Sequence, residues 1–221
     1  MHVHQGGEIS ARDDGSASIL RGIRQLGLPS DNTVTLENAR ISAVSTGADA
    51  LGIEQITVGG NNTVHFGSNG HIEVIGGSLA EGVRQTAIGI ESTSVFGRGT
   101  RINVTALASS ATALFQDGTD RVTSVFGANT RINVQGFVNS IAVVQDATTE
   151  SASTTFGSNA HVRVSGGNDA FGVSQQSPDN RFVLGQNSSI NVEAGNDGFG
   201  LEQRIFGLAS KSKTILQPTA V

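Results

Sequence analysis

One phrase recurs through this 221-residue chain at a fixed interval. Phe-Gly falls at Phe66, Phe96, Phe126 and Phe156, thirty residues apart each time, and Leu184-Gly185 follows after twenty-eight. Leu36 holds the same place thirty residues before Phe66. Six positions after each comes an aliphatic residue (Ile72, Ile102, Ile132, Val162, Ile190), and two further on a valine (Val74, Val104, Val134, Val164, Val192). Ile41 and Ile9 sit in looser copies, which brings the count to seven. A third element ends in glutamine at Gln55, Gln85, Gln116, Gln145, Gln175 and Gln203. A repeat of this length means that each unit is one supersecondary piece whose apolar face is covered only by its neighbours.

Within a unit, "HIEVIG", "RINVTA" and "HVRVSG" alternate apolar and polar residues, the period of a strand with one buried face. A unit of about thirty residues holds three short strands. That is short for a four-stranded propeller blade and comfortable for one turn of a coil. The expected fold is all-β: a right-handed parallel β-helix, or β-solenoid, of seven coils, about 34 Å long at ~4.8 Å per coil. The Phe, Ile and Val columns are then internal stacks. The glycine after each Phe answers either to crowding or to a positive φ. Asn69, Asn129, Asn159 and Asn187, with Gly99 substituting once, form a turn ladder, and the glutamine column allows an amide ladder. Residues 1–30 are expected to form an N-terminal coil and cap, 31–203 the repeat solenoid, and 204–221 a C-terminal strand or cap. "ASILRGIRQLG" (17–27) reads as an extra turn or short helix, because Ile19, Ile23 and Leu26 would share a helical face; irregular coil is the alternative. Open terminal coils leave end-to-end or edge-mediated self-association as a consequence.

Composition narrows the chemistry. With 19 acidic and 14 basic residues the net charge is -5, which points away from nucleic acid as a partner. There is no cysteine, so thiolate metal sites and cysteine nucleophiles are excluded. No apolar run approaches the roughly 20 residues of a transmembrane helix, and "MHVHQGGEISARDDGS" shows no signal peptide. No catalytic constellation, metal set or cofactor motif is assigned. Arg12 with Asp13-Asp14, and Asp179 with Arg181, read as hydrated turns. His71 and His161, three coils apart at roughly 14 Å, are too far apart to share a metal. His2 with His4 would bind one only adventitiously, and His65 with His71 would need the turn to fold them together. The aligned Thr33, Thr63, Thr93 and Thr123 lack the second threonine column of an ice-binding face.

The outward column before each I-x-V strand is basic: Arg40, His71, Arg101, Arg131 and His161, with Arg163 two positions on. Like charges in register are destabilising, so such a stripe either is neutralised by Glu73, Glu91, Asp120 and Glu150 or serves an acidic ligand, a polysaccharide, a surface glycan or a lipid headgroup.

The stretch "GGNNTVHFGSNGHIEVIGG" followed by "EGVRQ" resembles the repeats in β-helical passenger regions of bacterial autotransporters and related surface adhesins, over roughly residues 31–203. The resemblance implies a parallel β-helix displayed outside the cell or at its surface, in a structural or adhesive role, and carries no catalytic residues. The alternative on the same scaffold is a polysaccharide lyase or hydrolase, which would show a carboxylate cluster in a groove.

Overall fold

The structure, a computed structural model, describes residues 2–3, 7–13, 19–88, 90–206 and 211–217. It is a right-handed parallel β-solenoid of about seven coils with three strands per coil. Every third strand of the chain belongs to the same sheet, so three sheets run the length of the rod, with eight, seven and seven strands. The first, here the Phe sheet, contains strands such as Asn62–Phe66, Ser92–Phe96 and Arg121–Phe126. The second, the Arg/His sheet, contains His71–Gly76, Arg101–Ala106 and Arg131–Gly136. The third, the Gln sheet, contains Ala80–Ile88, Ala111–Gly118 and Asn139–Ala147.

Register is what turns the repeat into a core. Phe66, Phe96, Phe126 and Phe156 pair directly from coil to coil, as do Ile72, Ile102, Ile132 and Val162. All eight side chains are buried. In the middle of the rod the rings stack nearly parallel, with centroids 5.0 Å and then 4.7 Å apart. The stack is capped at one end by Leu36 over Phe66 and at the other by Phe182, which meets Phe156 edge-on at 6.1 Å. Each buried ring contributes about 1.5–3 kcal/mol of apolar transfer, which alternating strands with one polar face could not gather in isolation.

The glutamine column is an amide ladder running in one direction. Gln55 donates to Gln25, Gln85 to Gln55, and so on through Gln116, Gln145 and Gln175 to Gln203, at 2.7–2.9 Å. Most of these amides also bond a backbone carbonyl of the same coil, as Gln85 does to Thr93 O at 3.1 Å. Burying an amide is costly unless its groups are paired. Among the described residues no buried side-chain nitrogen or oxygen lacks a partner.

Two local expectations are corrected. Ile19–Gly27 is a strand of the Gln sheet, where a turn, a short helix or coil was expected; residues 17 and 18 of that segment lie outside the described residues. Its Ile23 pairs with Ile53 and its Gln25 with Gln55, so pairing with the next coil prevails over a chance helical spacing. Ile23 is buried while Ile19 and Leu26 face outward, so the three share no face. Arg12-Asp13 and Asp179–Arg181 likewise lie in strands (Glu8–Asp13 and Asp179–Leu184) where turns were expected, because both extend columns set by neighbouring coils. Asp14 lies outside the described residues. The choice between the two roles for the post-Phe glycine is settled for crowding. Gly97 has no positive φ, and a Cβ on it would stand 2.7 Å from the backbone of Gly67 and Ser68 in the coil before.

Candidate functional site

The corner between the Phe sheet and the Arg/His sheet is one tight turn, repeated. Its third residue has positive φ in five successive coils: Asn69 at 57°, Gly99 at 73°, Asn129 at 60°, Asn159 and Asn187 at 55°; in the shorter corner after Leu36, Asn38 takes that place at 49°. Asparagine tolerates that conformation better than other side chains do. The next residue folds inward and fastens the turn, as when the Thr100 hydroxyl donates to Gly97 O at 2.8 Å and Thr130 to Gly127 O at 2.7 Å. The residue after that opens the strand and points out. Rigid turns in register therefore dictate where the basic column stands.

The column is continuous. Arg40, His71, Arg101, Arg131 and His161 are successive register partners, flanked by Glu8 before and Ser189 after. Arg163 belongs to the neighbouring column, beside Asn133 and Asn191. Of the carboxylates expected to neutralise the stripe, Glu73 takes Arg40 at 2.5 Å. Glu91 and Glu150 both take Arg121, at 2.9 Å and 3.0 Å, while Asp120 accepts from the Thr149 hydroxyl at 2.7 Å. Arg163 pairs with Glu193 at 3.3 Å. Among the described residues no carboxylate pairs with Arg101 or Arg131. Within the predicted stripe Arg40 and Arg163 are compensated, and the middle, Arg101 and Arg131, is not.

That middle lines an open depression of about 670 Å3. Arg101, Arg131 and His161 line it together with Asn69, Gly99, Asn129 and Asn159 of the turn ladder. Arg98 joins them from the turn and has no carboxylate partner among the described residues either. Arg98 stands outside the repeating columns because it lies in the turn, three residues before Arg101. The signal was present: "FGRGTR" departs from "FGSNGH", "FGANTR" and "FGSNAH" both by the arginine and by the glycine where the others have asparagine. Gly99 leaves the ladder one side chain short beside Arg98; a Cβ there would come within 2.6 Å of Asn69 Oδ1.

His71 sits half-buried at the edge of this group. Burial first, then the flanking Arg40 and Arg101, hold its pKa below the ordinary 6.5, against the raising influence of Glu73. A neutral ring accepts at Nε2 from Asn103 Nδ2, 3.3 Å away, and Asn133 in turn donates to Asn103 Oδ1 at 2.9 Å. His161 Nδ1 lies 3.0 Å from the Ser189 hydroxyl. His65 faces Glu37 at 4.0 Å on the Phe sheet, away from His71. The side chains of His2 and His4 lie outside the described residues. Among the described residues no three His, Cys, Asp or Glu side chains gather as metal ligands. No described helix is long and apolar enough to cross a membrane.

No family model, curated protein or solved structure matches this chain. The site's chemistry therefore rests on its own geometry. Three guanidinium groups and an imidazole line one depression together with the asparagines of the turn ladder. Guanidinium forks donate two parallel bonds to carboxylate, sulfate or phosphate, and amides both donate to and accept from hydroxyls. At ~4.8 Å per coil, the distance from Arg101 to His161 is roughly 10 Å along the rod.

Proposed function

We propose that this chain is a non-enzymatic structural or adhesive rod that binds an acidic polysaccharide or surface glycan along the corner of Arg98, Arg101, Arg131 and His161, outside the cell or at its surface. The observation that carries the proposal is that these arginines stand together with no carboxylate partner among the described residues, although carboxylates nearby pair with other arginines. Two cations opposed in register at about 5 Å repel by about 0.8 kcal/mol in water. An extended polyanion lying along the axis removes that repulsion and gains charge-assisted hydrogen bonds. The asparagines of the turn ladder offer partners for sugar hydroxyls, so the face matches a chain that carries both acid groups and hydroxyls. The surface placement and the likeness to autotransporter passengers follow the same reading: long parallel solenoids present many equivalent columns to a repeating polymer.

The test is binding of a soluble polyuronate and of a sulfated polysaccharide, with a neutral glucan and duplex DNA as controls. The wild type binds the acidic glycans, more weakly as salt rises. The Arg101→Ala/Arg131→Ala variant loses at least tenfold in affinity and keeps its circular dichroism. Equal binding by variant and wild type rejects the reading.

A further inference from the structure

The arginine corner is short. From Arg101 to His161 it runs roughly 10 Å along the rod, so a longer glycan has to continue somewhere else. Along the axis the neighbouring coils bring carboxylates: Glu73 pairs in register with Asn103 on one side, and Glu193 with Ser165 on the other. Across the sheet there are none. The strands Arg101–Ala106, Arg131–Gly136 and His161–Gly166 contain no Asp or Glu, and they lead away from the corner itself.

Two further depressions lie over the same three strands. One is lined by Asn103 and Asn133 in the middle of the sheet; the next shares Thr105, Gln135 and Ser165 with it and reaches the far edge. Outward residues fall two apart on a strand, so the three depressions occupy successive outward positions of the same coils. The track is polar. Asn133 gives one N–H to Asn103 Oδ1 and keeps the other, and no described residue hydrogen-bonds the side chain of Gln135 or Asn168.

Its far end is apolar. Phe137, the residue after Gly136, is 70% exposed, more than any other aromatic among the described residues, and Leu107 lines the depression with it. In the next coil the corresponding residue is Gly167, where a Cβ would stand 2.0 Å from Phe137 O. That coil therefore lays no side chain over the ring from this position. One exposed phenylalanine is ordinary on a surface. This one ends an acid-free polar track that starts at uncompensated arginines. An aromatic ring has an electron-rich face, which attracts the C–H groups on one side of a sugar ring, while amides at its rim meet the hydroxyls.

We infer that Phe137 is a stacking platform for a sugar ring, and that the acidic glycan leaves the arginine corner across the Arg/His sheet, over Asn133 and Gln135, to reach it. The inference rests on the reading of the arginine corner given above. From Arg131 to Phe137 the path follows six residues of extended chain, about 20 Å. The arginines supply affinity that salt weakens. Phe137 supplies affinity that salt leaves alone and that only a long enough glycan collects.

Polyuronate oligomers of graded length test this on the 221-residue chain. Wild-type affinity rises once the oligomers outgrow the corner and levels off when they span about 20 Å. Phe137→Ala binds the shortest oligomers as wild type does and loses about three- to tenfold on the long ones, with unchanged salt dependence. Arg101→Ala/Arg131→Ala loses affinity at every length. The chain contains no tryptophan, so Phe137→Trp places a single fluorescent reporter on the platform. Its emission shifts with long oligomers and not with short ones. A wild type that binds no polyuronate overturns the reading of the corner and this inference with it. A wild type that binds through its arginines, while Phe137→Ala matches it at every length, overturns this inference alone. So does indole emission that long oligomers leave unchanged. Self-association that Phe137→Ala abolishes with glycan affinity intact gives the platform to a second copy and likewise overturns the inference.

Discussion

Gly99→Asn tests the turn and the site together. The substitution gives the central coil the asparagine carried by the coils around it. Its backbone is already suited, with φ of 73° against 55–60° at Asn69, Asn129 and Asn159. Asparagine has fewer unfolded states to lose than glycine, a gain of up to about 1 kcal/mol that the strain of a positive φ offsets in part. Against this, the new Cβ meets Asn69 Oδ1 at 2.6 Å, the far end of a side chain that can rotate away at a cost of about 0.5–1.5 kcal/mol. The net change in unfolding free energy is then within about 1 kcal/mol of zero. Gly97→Ala is the control. Its Cβ meets backbone of the preceding coil at 2.7 Å, which cannot rotate away, and the expected loss is about 1–3 kcal/mol. Urea unfolding of both variants reads these numbers. Polyuronate titration reads the second half: the asparagine side chain fills the space between Arg98 and Asn69, and affinity falls tenfold or more in a protein of unchanged stability. If Gly99→Asn unfolds as readily as Gly97→Ala, the reading of the turn is wrong. If it keeps both stability and affinity, the depression is not the binding site.

Three further outcomes follow from the core and from the titrating groups. Phe126→Ala, in the middle of the parallel ring stack, costs about 3–5 kcal/mol in urea unfolding, and a loss below 1 kcal/mol would mean the stack is not packed as described. Burial and the neighbouring Arg40 and Arg101 lower the pKa of His71 in the fold, so the unfolded chain takes up its proton first. The stability linked to His71 is present above its unfolded value near 6.5 and is lost as pH falls through the lower folded value; wild type loses more Tm between about pH 7 and 5 than His71→Gln does. Asp146 has the opposite sign: burial, then Asp117 beside it in register, raises its pKa, so its ionisation opposes folding at neutral pH. Asp146→Asn therefore raises Tm at pH 7, and the gain disappears once the pH drops below the carboxylate range.

The parts of the fold that were legible in sequence are those fixed by inward-facing columns. The columns Phe66 to Phe156, Ile72 to Ile190 and Gln55 to Gln203 repeat because a polar residue in the first two would break an apolar stack and an apolar one in the third would strand an amide, so spacing alone names the core and the coil count. What spacing does not show is pairing between outward side chains. Glu91 and Glu150 are no nearer in sequence to Arg121 than other acids are to Arg131, and only the three-dimensional corner decides which arginine is compensated. The strand Ile19–Gly27 keeps the repeat, with Gly22, Ile23 and Gln25 thirty residues before Gly52, Ile53 and Gln55, but its apolar spacing also fits a helical period. Arg98 was overlooked for a different reason. A search for columns discards the residue that occurs once, whereas a binding feature confined to one coil is by nature such a residue.

The most direct measurement is a nuclear magnetic resonance titration of the arginine Nε–Hε signals and the histidine rings with a short polyuronate at low salt. The signals of Arg98, Arg101, Arg131 and His161 shift together and saturate at one affinity, while those of Arg40, Arg121 and Arg163, already held by carboxylates, stay in place. Shifts spread evenly over all the arginines, or confined to the compensated ones, would contradict the account.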